Sequence, residues 1–568
     1  MPRAAMVNSR RIQYSETRFF RRQFMFAKSL LPHVLCLGVL CAAPVFAQDE
    51  HVQGHHHDAG EQLGKVSFPI SCAPDSQKPF ERGVALLHSF GYEDAEQQFI
   101  EIAQKDSACA MAHWGIAMSQ FHQIWERPQE AALKRGHGEM EKAQKLSAKT
   151  DRERGYISAL ALFYNDPAAD YLKRAGAYSD AMGKLYQKYP QDLEAGAFYA
   201  LSLLAAAPPS DTSLSAEKKA VGILNPLFQQ EPNHPGLAHY IIHSCDNPQL
   251  APLGLEAARR YAGIASSSAH AVHMPSHIFA RLGLWQEDIQ ANVKSVALTQ
   301  QSSHMYMHGH ELHAMHFLLY AYLQTGQDAA AQQILEQSKQ VLSSMPAMGD
   351  DAGMLEYFGY AAAHFPAIYA LELHHWADAA ALEPAANASP HLQMITYWAR
   401  TVGSARLGDV EATRQNAKLY EEAHEATRKT KYAYVLDGPS ITRGEVQAWL
   451  AFAEKRPDDA LRQMRQVADT QDQVGKAEVD IPAREMLADM LLSLNQPENA
   501  LAEYEKSMKI DPNRFNGLAG AARAAELAHQ SAKASAYSAQ LLKNCGDAPN
   551  SDRPELRSAK TVLAKDGQ

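Results

Sequence analysis

The pattern of apolar and polar positions predicts a chain built almost wholly of helices. From about Glu81 onward, apolar residues recur at the spacing of amphipathic helices, and no stretch alternates as a β-strand would. The helices come in pairs, and short blocks recur at intervals such as Ala379 to Thr413 and Ala500 to Ala534, each of 34 residues. This repetition predicts an all-α fold in which helical hairpins stack into a solenoid.

One segment carries this pattern most clearly, the sequence LLSLNQPENALAEYEKSMKIDPNRFNGLAGAARAAE at residues 491–526. It resembles the tetratricopeptide-repeat family, and the resemblance extends over about residues 81–545. The blocks HYIIHS, HMPSHIFARLGLW and PNRF are similar to those of exported bacterial repeat proteins that have no firmly assigned activity. The resemblance implies a tetratricopeptide-type helical-hairpin solenoid over residues 81–545, wound as a right-handed superhelix.

The first 47 residues have the pattern of a secretory signal peptide. Basic residues precede an apolar run from Leu30 to Leu40, and a small-residue cleavage site ends at Ala47. Met25 is an alternative start, because the segment from Met25 to Ala47 has the same three parts. The apolar run is too short to span a bilayer, and no later segment is apolar over a sufficient length. We therefore expect a periplasmic or secreted protein without a transmembrane segment in its mature chain.

Two terminal segments lie outside the predicted solenoid. Residues 48–80 are polar, interrupted by glycine and proline, and contain His51 and His55–His57, which predicts a flexible histidine-rich arm. Residues 546–568 are predicted to form a C-terminal tail. A formal net charge of −10, without a cluster of basic residues beyond the leader, argues against a nucleic-acid partner.

Four cysteines remain after the predicted cleavage, which allows three complete pairings. Export makes a disulfide plausible, and Cys72 with Cys109 is the preferred pair because both lie next to predicted helix starts. Free buried thiols are the alternative.

Histidines are concentrated in one part of the chain, where residues 234–316 hold 11 of the 26. The repeat register can be checked at the core positions of two hairpins, which are all apolar: Ala238, Ile241, Ile242 and Cys245, then Met315, Leu318, Leu319 and Tyr322. In this register the histidines recur at positions two, five and nine of successive first helices. These positions form one stripe, which the architecture of the family places on the concave wall of the superhelix.

This stripe predicts a single histidine-lined site for a transition metal ion. Histidines at i and i+4 lie one above the other on a helix and can reach the same ion, and imidazole suits copper and zinc alike. The interspersed Met305, Met307 and Met315, together with export, favour copper, although a methionine at position four of a repeat is better explained as a core residue. The predicted metal ligands are His239, His243, His270, His273, His277, His313 and His316, with His364 as an extension.

A second hypothesis is that the groove holds a peptide or protein partner, so that the chain is a periplasmic scaffold. The metal site would serve either metal handling or a metal-dependent centre. Because the sequence shows no nucleophile or base beside the ion, a binding protein is favoured over an enzyme, and both alternatives stay open. The segment from His310 to His313 has one residue too few for a metalloprotease motif, which excludes that use.

Overall fold

The structure is a computed structural model that describes residues 61–124, 127–208, 211–301, 307–344, 352–476, 479–546 and 551–566. The predicted signal peptide and the histidines from His51 to His57 lie outside the described residues, so export stays a prediction. The described residues belong to one compact unit, Ala59–Gln568. None of its described helices is long and apolar enough to cross a membrane.

The all-α prediction is confirmed, because the described ranges contain helices and no β-strand. Consecutive helices pack as antiparallel hairpins, apart from a break near Met274 and a short helix after His375. Two 3₁₀ helices cover Pro74–Ser76 and Ala433–Leu436. The α-helices are α1 (Gln77–His88), α2 (Tyr92–Lys105), α3 (Ala110–Ser119), α4 (Glu130–Leu146), α5 (Asp151–Tyr164), α6 (Tyr171–Lys188), α7 (Leu193–Ala206), α8 (Ser215–Gln230), α9 (Pro235–Cys245), α10 (Ala251–Ile264), α11 (Ala269–His273), α12 (Pro275–Arg281), α13 (Trp285–Thr299), α14 (Met307–Gln324), α15 (Asp328–Ser344), α16 (Ala352–Glu372), α17 (Trp376–Ala380), α18 (Pro390–Leu407), α19 (Val410–Thr427), α20 (Ile441–Ala453), α21 (Pro457–Val474), α22 (Ala483–Ser493), α23 (Pro497–Ile510), α24 (Phe515–Leu527), α25 (Ser531–Cys545) and α26 (Pro554–Asp566).

The solenoid contains two main hydrophobic cores in succession. The N-terminal core runs from Leu63 to Phe279, and the C-terminal core runs from Ala280 to Ala534. Within the first, α1 packs against α9, and within the second, α14 packs against α24. Each half of the solenoid therefore curves back onto its own first helices. The two cores meet at α12, in the part of the chain that is richest in histidine.

The start of α9 is fixed by its local sequence. Pro235 occupies the first helical turn, where a missing N–H costs nothing, and His234 caps the helix by accepting a hydrogen bond from the Leu237 N–H at 3.3 Å. Gly236 lies where α9 approaches α1, and a Cβ at this position would be 2.3 Å from Nδ1 of His88. The close contact of the two helices thus requires glycine.

We expect Gly236→Ala to lower the free energy of unfolding by about 1–3 kcal/mol, the usual cost of an overpacked core. The His88 ring cannot move away freely, because Glu194 and Tyr240 hold its two nitrogens. Gly222→Ala is the matched control, since a Cβ added to this helical glycine would meet no atom within 4 Å. It should stabilise the protein by about 0.5–1 kcal/mol. Denaturant unfolding of both variants measures the difference, and equal midpoints would contradict the argument.

Both terminal predictions need correction. The flexible arm predicted over residues 48–80 is wrong for residues 61–80, because Phe68 is fully buried among Phe80, Trp114 and Tyr156. The tail predicted over residues 546–568 contains α26, which packs on α25 and α24. Arg553 also forms an ion pair with Asp328 at 2.6 Å. The two terminal segments contain too few apolar residues for a helical hairpin to be predicted from the sequence. Those few residues are nevertheless enough to cover the ends of the solenoid.

The disulfide prediction is confirmed, since Cys72 is bonded to Cys109. The bond ties the extended segment before α1 to the start of α3. Cys245 and Cys545 are free thiols, and both are buried. The apolar positions used to set the repeat register are also buried, except for Tyr322, which is half-buried.

Candidate metal centre

Histidines from four helices meet where the two cores join. His239 and His243 lie one turn apart on α9, His270 and His273 lie on α11, His277 lies on α12, and His313 lies on α14. Pro275 begins α12 directly after α11, so these two short helices present their histidines as one nearly continuous stretch. The six rings form two groups of three.

The first triad consists of His239, His243 and His270. The Nε2 atom of His239 lies 3.0 Å from that of His243 and 3.1 Å from that of His270. The Nδ1–H of His239 donates to the backbone carbonyl of His88 at 2.6 Å. Because a carbonyl only accepts, Nε2 of a neutral His239 carries a lone pair.

The second triad consists of His273, His277 and His313. The Nε2 atom of His277 lies 3.1 Å from that of His273 and 3.3 Å from that of His313. In each triad all three ligand nitrogens lie within 4.8 Å of one another. Two nitrogens bound to one zinc ion at 2.0–2.1 Å in tetrahedral geometry are separated by about 3.3–3.4 Å. Two of the three separations in each triad, at 3.0–3.3 Å, are therefore close to those of nitrogens that share an ion.

The outward nitrogen of each ring in the second triad has a partner. Nδ1 of His273 lies 2.6 Å from Oδ1 of Asn292, and Nδ1 of His313 is hydrogen-bonded to the Tyr357 hydroxyl at 2.9 Å. The amide of Asn292 is oriented unambiguously, because its nitrogen donates to the backbone carbonyl of Asp288 at 3.0 Å. Its oxygen must face His273, so Nδ1 of His273 is the donor and Nε2 carries the lone pair.

His277 is oriented by a carboxylate. Its Nδ1–H donates to Oδ2 of Asp246 at 2.8 Å, while Oδ1 of Asp246 accepts from Nε of Arg281, also at 2.8 Å. Burial alone would raise the pKa of Asp246, but the charges and hydrogen bonds of Arg281 and His277 hold it well below its usual range. Carboxylate partners of this kind fix the tautomer of metal-binding histidines and make them more basic ligands.

Four of the six histidines are kept neutral by their surroundings. Burial holds the pKa values of His239, His270 and His273 well below the usual histidine range, and neighbouring imidazoles add to this effect. Burial, together with the charge of His277, lowers the pKa of His243 to about 3. Neutral imidazole is the form that binds metal ions, so these side chains need not lose a proton before binding.

Two phenylalanines pack against the triads. The ring of Phe90 contacts all three histidines of the first triad, with centroid distances of 4.4 Å to His239 and 5.4 Å to both His243 and His270. Phe90 has a φ of +55°, a conformation that costs free energy for a bulky side chain. Phe317 lies 4.5–5.5 Å from the three rings of the second triad. Both contacts restrict the orientation of the imidazoles.

A cavity of about 1210 Å³ adjoins the triads. His243, His277, His313 and Asp246 form part of its wall. Five tyrosines also line it, Tyr171, Tyr357, Tyr360, Tyr432 and Tyr434, together with aliphatic side chains. An ion in either triad therefore has a route to the cavity, and a cavity-facing coordination position is what distinguishes catalytic or exchangeable metal sites from closed structural ones.

A family model for the tetratricopeptide repeat matches residues 481–514, which cover the end of the loop before α22, the α22–α23 hairpin and the turn that precedes α24. These residues therefore form a tetratricopeptide repeat. No curated protein matches this repeat protein in sequence.

Solved structures similar to the repeat protein include a human IFIT1 dimer with m7Gppp-AAAA, at 10% identity and a TM-score of 0.34 over 77% of this chain and 90% of that one. The P58(IPK) TPR domain has 14% identity and a TM-score of 0.20 over 81% of this chain and 99% of that one. The Cut9–Hcn1 assembly of APC/C has 13% identity and a TM-score of 0.32 over 81% and 78%. With all three TM-scores below 0.5, nothing about the site follows from these similarities.

Two other groups in the repeat protein have metal-binding residue types but lack free ligand atoms. His88 and His234 donate from Nε2 to the two oxygens of Glu194 at 2.7 and 2.9 Å, and their Nδ1 atoms accept from the Tyr240 hydroxyl and the Leu237 N–H. Hydrogen bonds thus occupy every ligand atom. In the other group, Cys72 and Cys109 are bonded to each other near Asp106.

The prediction of one site on an open concave wall needs correction in two respects. The predicted ligands form two triads instead of one cluster, and His316 belongs to neither, because its ring packs against His364 at 4.8 Å and Phe365 at 5.3 Å. All of these rings except the half-buried His243 are buried. The first helices of successive hairpins, which carry these histidines, approach one another closely enough for the imidazole rings to fill the space between the helices.

Several partners of the triads were missed from the sequence of the repeat protein. Asp246 follows α9 directly, but its role depends on α12 turning towards it, and Asn292 reaches His273 from α13. Tyr357 contacts His313 from α16. His310, excluded with the protease motif, lies 5.3 Å from the ring of His270, and burial lowers its pKa to about 4. The histidine-rich composition of this region was the only signal for His310.

Proposed function

We propose that this repeat protein binds a transition metal ion at the second triad, with His273, His277 and His313 as ligands through Nε2. The observation that carries the proposal is the pair of lone pairs on His273 and His277. Asn292 and Asp246 take the Nδ1 hydrogens of these rings, so the two Nε2 atoms, 3.1 Å apart, face each other without a hydrogen between neutral rings. A cation bound between the two Nε2 atoms would remove the repulsion between their lone pairs.

A proton is the simplest rival to a metal ion at this position. One extra proton on Nε2 of His277 would satisfy the contact with His273, but that proton would then be shared with the third nitrogen, on His313, at 3.3 Å from the same atom. A metal ion uses all three lone pairs at once.

The ligand set restricts the metal by its chemistry. Three imidazoles without a thiolate or carboxylate ligand suit copper, zinc, nickel and iron, and exclude calcium and magnesium, which require oxygen ligands. The bound ion would have a coordination position directed towards the cavity, which fits either metal handling or a metal-dependent centre. Copper remains our preferred metal, on the ground of predicted export.

Metal titration of the purified chain tests the proposal. We expect His277→Gln and His313→Gln each to remove one equivalent of tightly bound Zn²⁺ or Cu²⁺, because the triad would lose a ligand. His391→Gln is the matched control, since His391 lines the same cavity but forms part of neither triad. The histidine-rich segment His55–His57 should be replaced by alanine in every sample, so that loose binding there is not counted.

Unchanged metal content in both triad variants would contradict the proposal. In that case the second candidate function gains weight, in which the cavity holds a segment of a peptide or protein partner. The observation favouring that candidate is the cavity itself, which exceeds the usual 300–1,000 Å³ of small-molecule sites and has five tyrosines among aliphatic side chains in its wall. A partner of this kind would bind the metal-free chain and the titrated chain with equal affinity.

A further inference from the structure

The first triad lies directly beside the second. The ring of His243 is 6.3 Å from the ring of His277, and the ring of His270 is 6.4 Å from that of His273. Both contacts join one triad to the other, and no helix separates them. We infer that the two triads together form a dinuclear centre, with a second transition metal ion held by Nε2 of His239, His243 and His270. This inference rests on the proposed function of the second triad.

The first triad meets the requirements of a metal site on its own evidence. The hydrogen bond from Nδ1 of His239 to the His88 carbonyl leaves a lone pair at Nε2, directed between the Nε2 atoms of His243 and His270. An sp² nitrogen accepts one good hydrogen bond, so protons on both neighbours would compete for a single lone pair. An ion would instead be bound by one lone pair from each ring.

The position of the His239 ring is held from several sides. His88, whose carbonyl receives the Nδ1–H, is itself fixed by Glu194 and Tyr240. Tyr261 stacks on the His239 ring at 5.2 Å, and Phe90 packs edge-on against it at 4.4 Å. The buried network of His88, Glu194 and His234 therefore has a role in positioning, because it orients a ligand without binding the ion itself.

Both triads reach the same cavity. His243 contributes to the wall from the first triad, His277 and His313 contribute from the second, and Asp246 also lines the cavity. Two ions so placed present their open positions to one ligand. Dinuclear sites of this kind hold their ions about 3.5–4 Å apart and bind a single small ligand through oxygen donors between them. The ligand class is therefore a small molecule or anion that can bridge two metals through oxygen.

Stoichiometric loading with Cu²⁺, followed by electron paramagnetic resonance, tests the inference. We expect two tightly bound ions per chain. We also expect the second equivalent to produce a signature of two nearby spins, either a half-field transition or an integrated signal well below one spin per copper. The chain used should be the full mature chain with His55–His57 replaced by alanine.

Two variants make the test specific for the first triad. His243→Gln alters the half-buried member of the triad, and His239→Gln alters the ligand with the fixed lone pair. Each should bind one ion with the spectrum of an isolated Cu²⁺, while circular dichroism reports whether the helices are intact. His277→Gln should show the reverse loss, leaving one isolated ion at the first triad.

The possible failures are distinguishable from one another. Binding of one ion that is lost in His277→Gln but retained unchanged in His243→Gln would overturn the dinuclear centre and leave the proposed function intact. Two bound ions that integrate to two isolated spins without a half-field transition would also overturn it. Binding of no ion at all would overturn both proposals.

Discussion

Replacing Arg514 with methionine is expected to lower the free energy of unfolding of the C-terminal core by about 3–5 kcal/mol, the cost of leaving buried carboxylates without their cationic partner. The Arg514 guanidinium is 1% exposed and lies between Glu372 and Glu485, which are 0% and 5% exposed. It donates to Glu372 at 2.7 Å and to both oxygens of Glu485 at 2.9 and 3.0 Å. Solvent cannot readily replace these bonds, because all three groups are enclosed.

The location of Arg514 makes this loss important for the whole fold. Arg514 precedes α24, Glu372 ends α16 and Glu485 begins α22, so a single side chain joins three helices that are distant in sequence. The next residue, Phe515, donates its N–H to the Gln324 side chain at the end of α14. These contacts close the curve of the C-terminal half.

Arg523→Met provides the matched control, because Arg523 lies on α24, the helix that Arg514 precedes. Arg523 forms an ion pair with Glu526 at 3.3 Å, but its side chain is 59% exposed, and an exposed pair contributes at most about 1 kcal/mol. Urea unfolding monitored by tryptophan fluorescence compares the two variants. Adding Glu372→Gln and Glu485→Gln to Arg514→Met should restore part of the lost stability. Equal unfolding midpoints for Arg514→Met and Arg523→Met would show that the buried ion pairs do not support the fold.

The second large effect concerns Asp246. We expect Asp246→Asn to weaken metal affinity at the second triad about 10–100-fold, the usual effect of removing an outer partner of a histidine ligand. The carboxylate holds the Nδ1–H of His277, which keeps Nε2 directed at the ion. Asparagine is the same size but has no charge, and its amide can donate to Nδ1 and so shift the proton to the ligand nitrogen.

Competition with a chelator of known affinity measures this change. Asp480→Asn is a suitable control, because Asp480 also lines the cavity and carries a carboxylate but belongs to neither triad. Wild-type affinity in Asp246→Asn would mean that the tautomer of His277 does not depend on the carboxylate. A weakened affinity in both variants would indicate a general effect of cavity charge.

The fold could be predicted from the sequence because each helix of a repeat shows its buried face as an apolar pattern within a short stretch of residues. The repeat register was set on α9 by four apolar positions, and the structure buries all four of these side chains, Ala238, Ile241, Ile242 and Cys245. Once that register is known, the i and i+4 spacing of His239 and His243 places both rings on the same face of the helix. Local periodicity therefore predicted that His239 and His243 lie on one face of α9, where their Nε2 atoms are 3.0 Å apart.

The division into two triads depends on quantities that a single sequence does not contain. Whether His270 joins His239 or His273 depends on how far α11 turns relative to α9 and on its junction with α12 at Pro275. The position of His316 shows the same point, because it is three residues from His313 on α14 and yet faces His364. Partners such as Asn292 come from the second helix of a hairpin, for which the histidine pattern gave no information.

The ends of the chain were misjudged for a different reason. Phe68 lies in a segment with glycine, proline and polar residues, so its burial follows from the groove available between α1, α3 and α5, not from any periodicity of its own. A solenoid exposes an apolar surface at each end, and a few large side chains suffice to cover it.

The boundary between the two cores gives the second triad a mechanical property. Phe279 is the last residue of the N-terminal core and Ala280 the first of the C-terminal core, so His277 and His313 belong to different halves of the molecule. An ion bound by both would act as a cross-link across that boundary. The less stable half would then unfold only after the ion dissociates, since binding to the folded form alone adds its free energy to the stability of both halves.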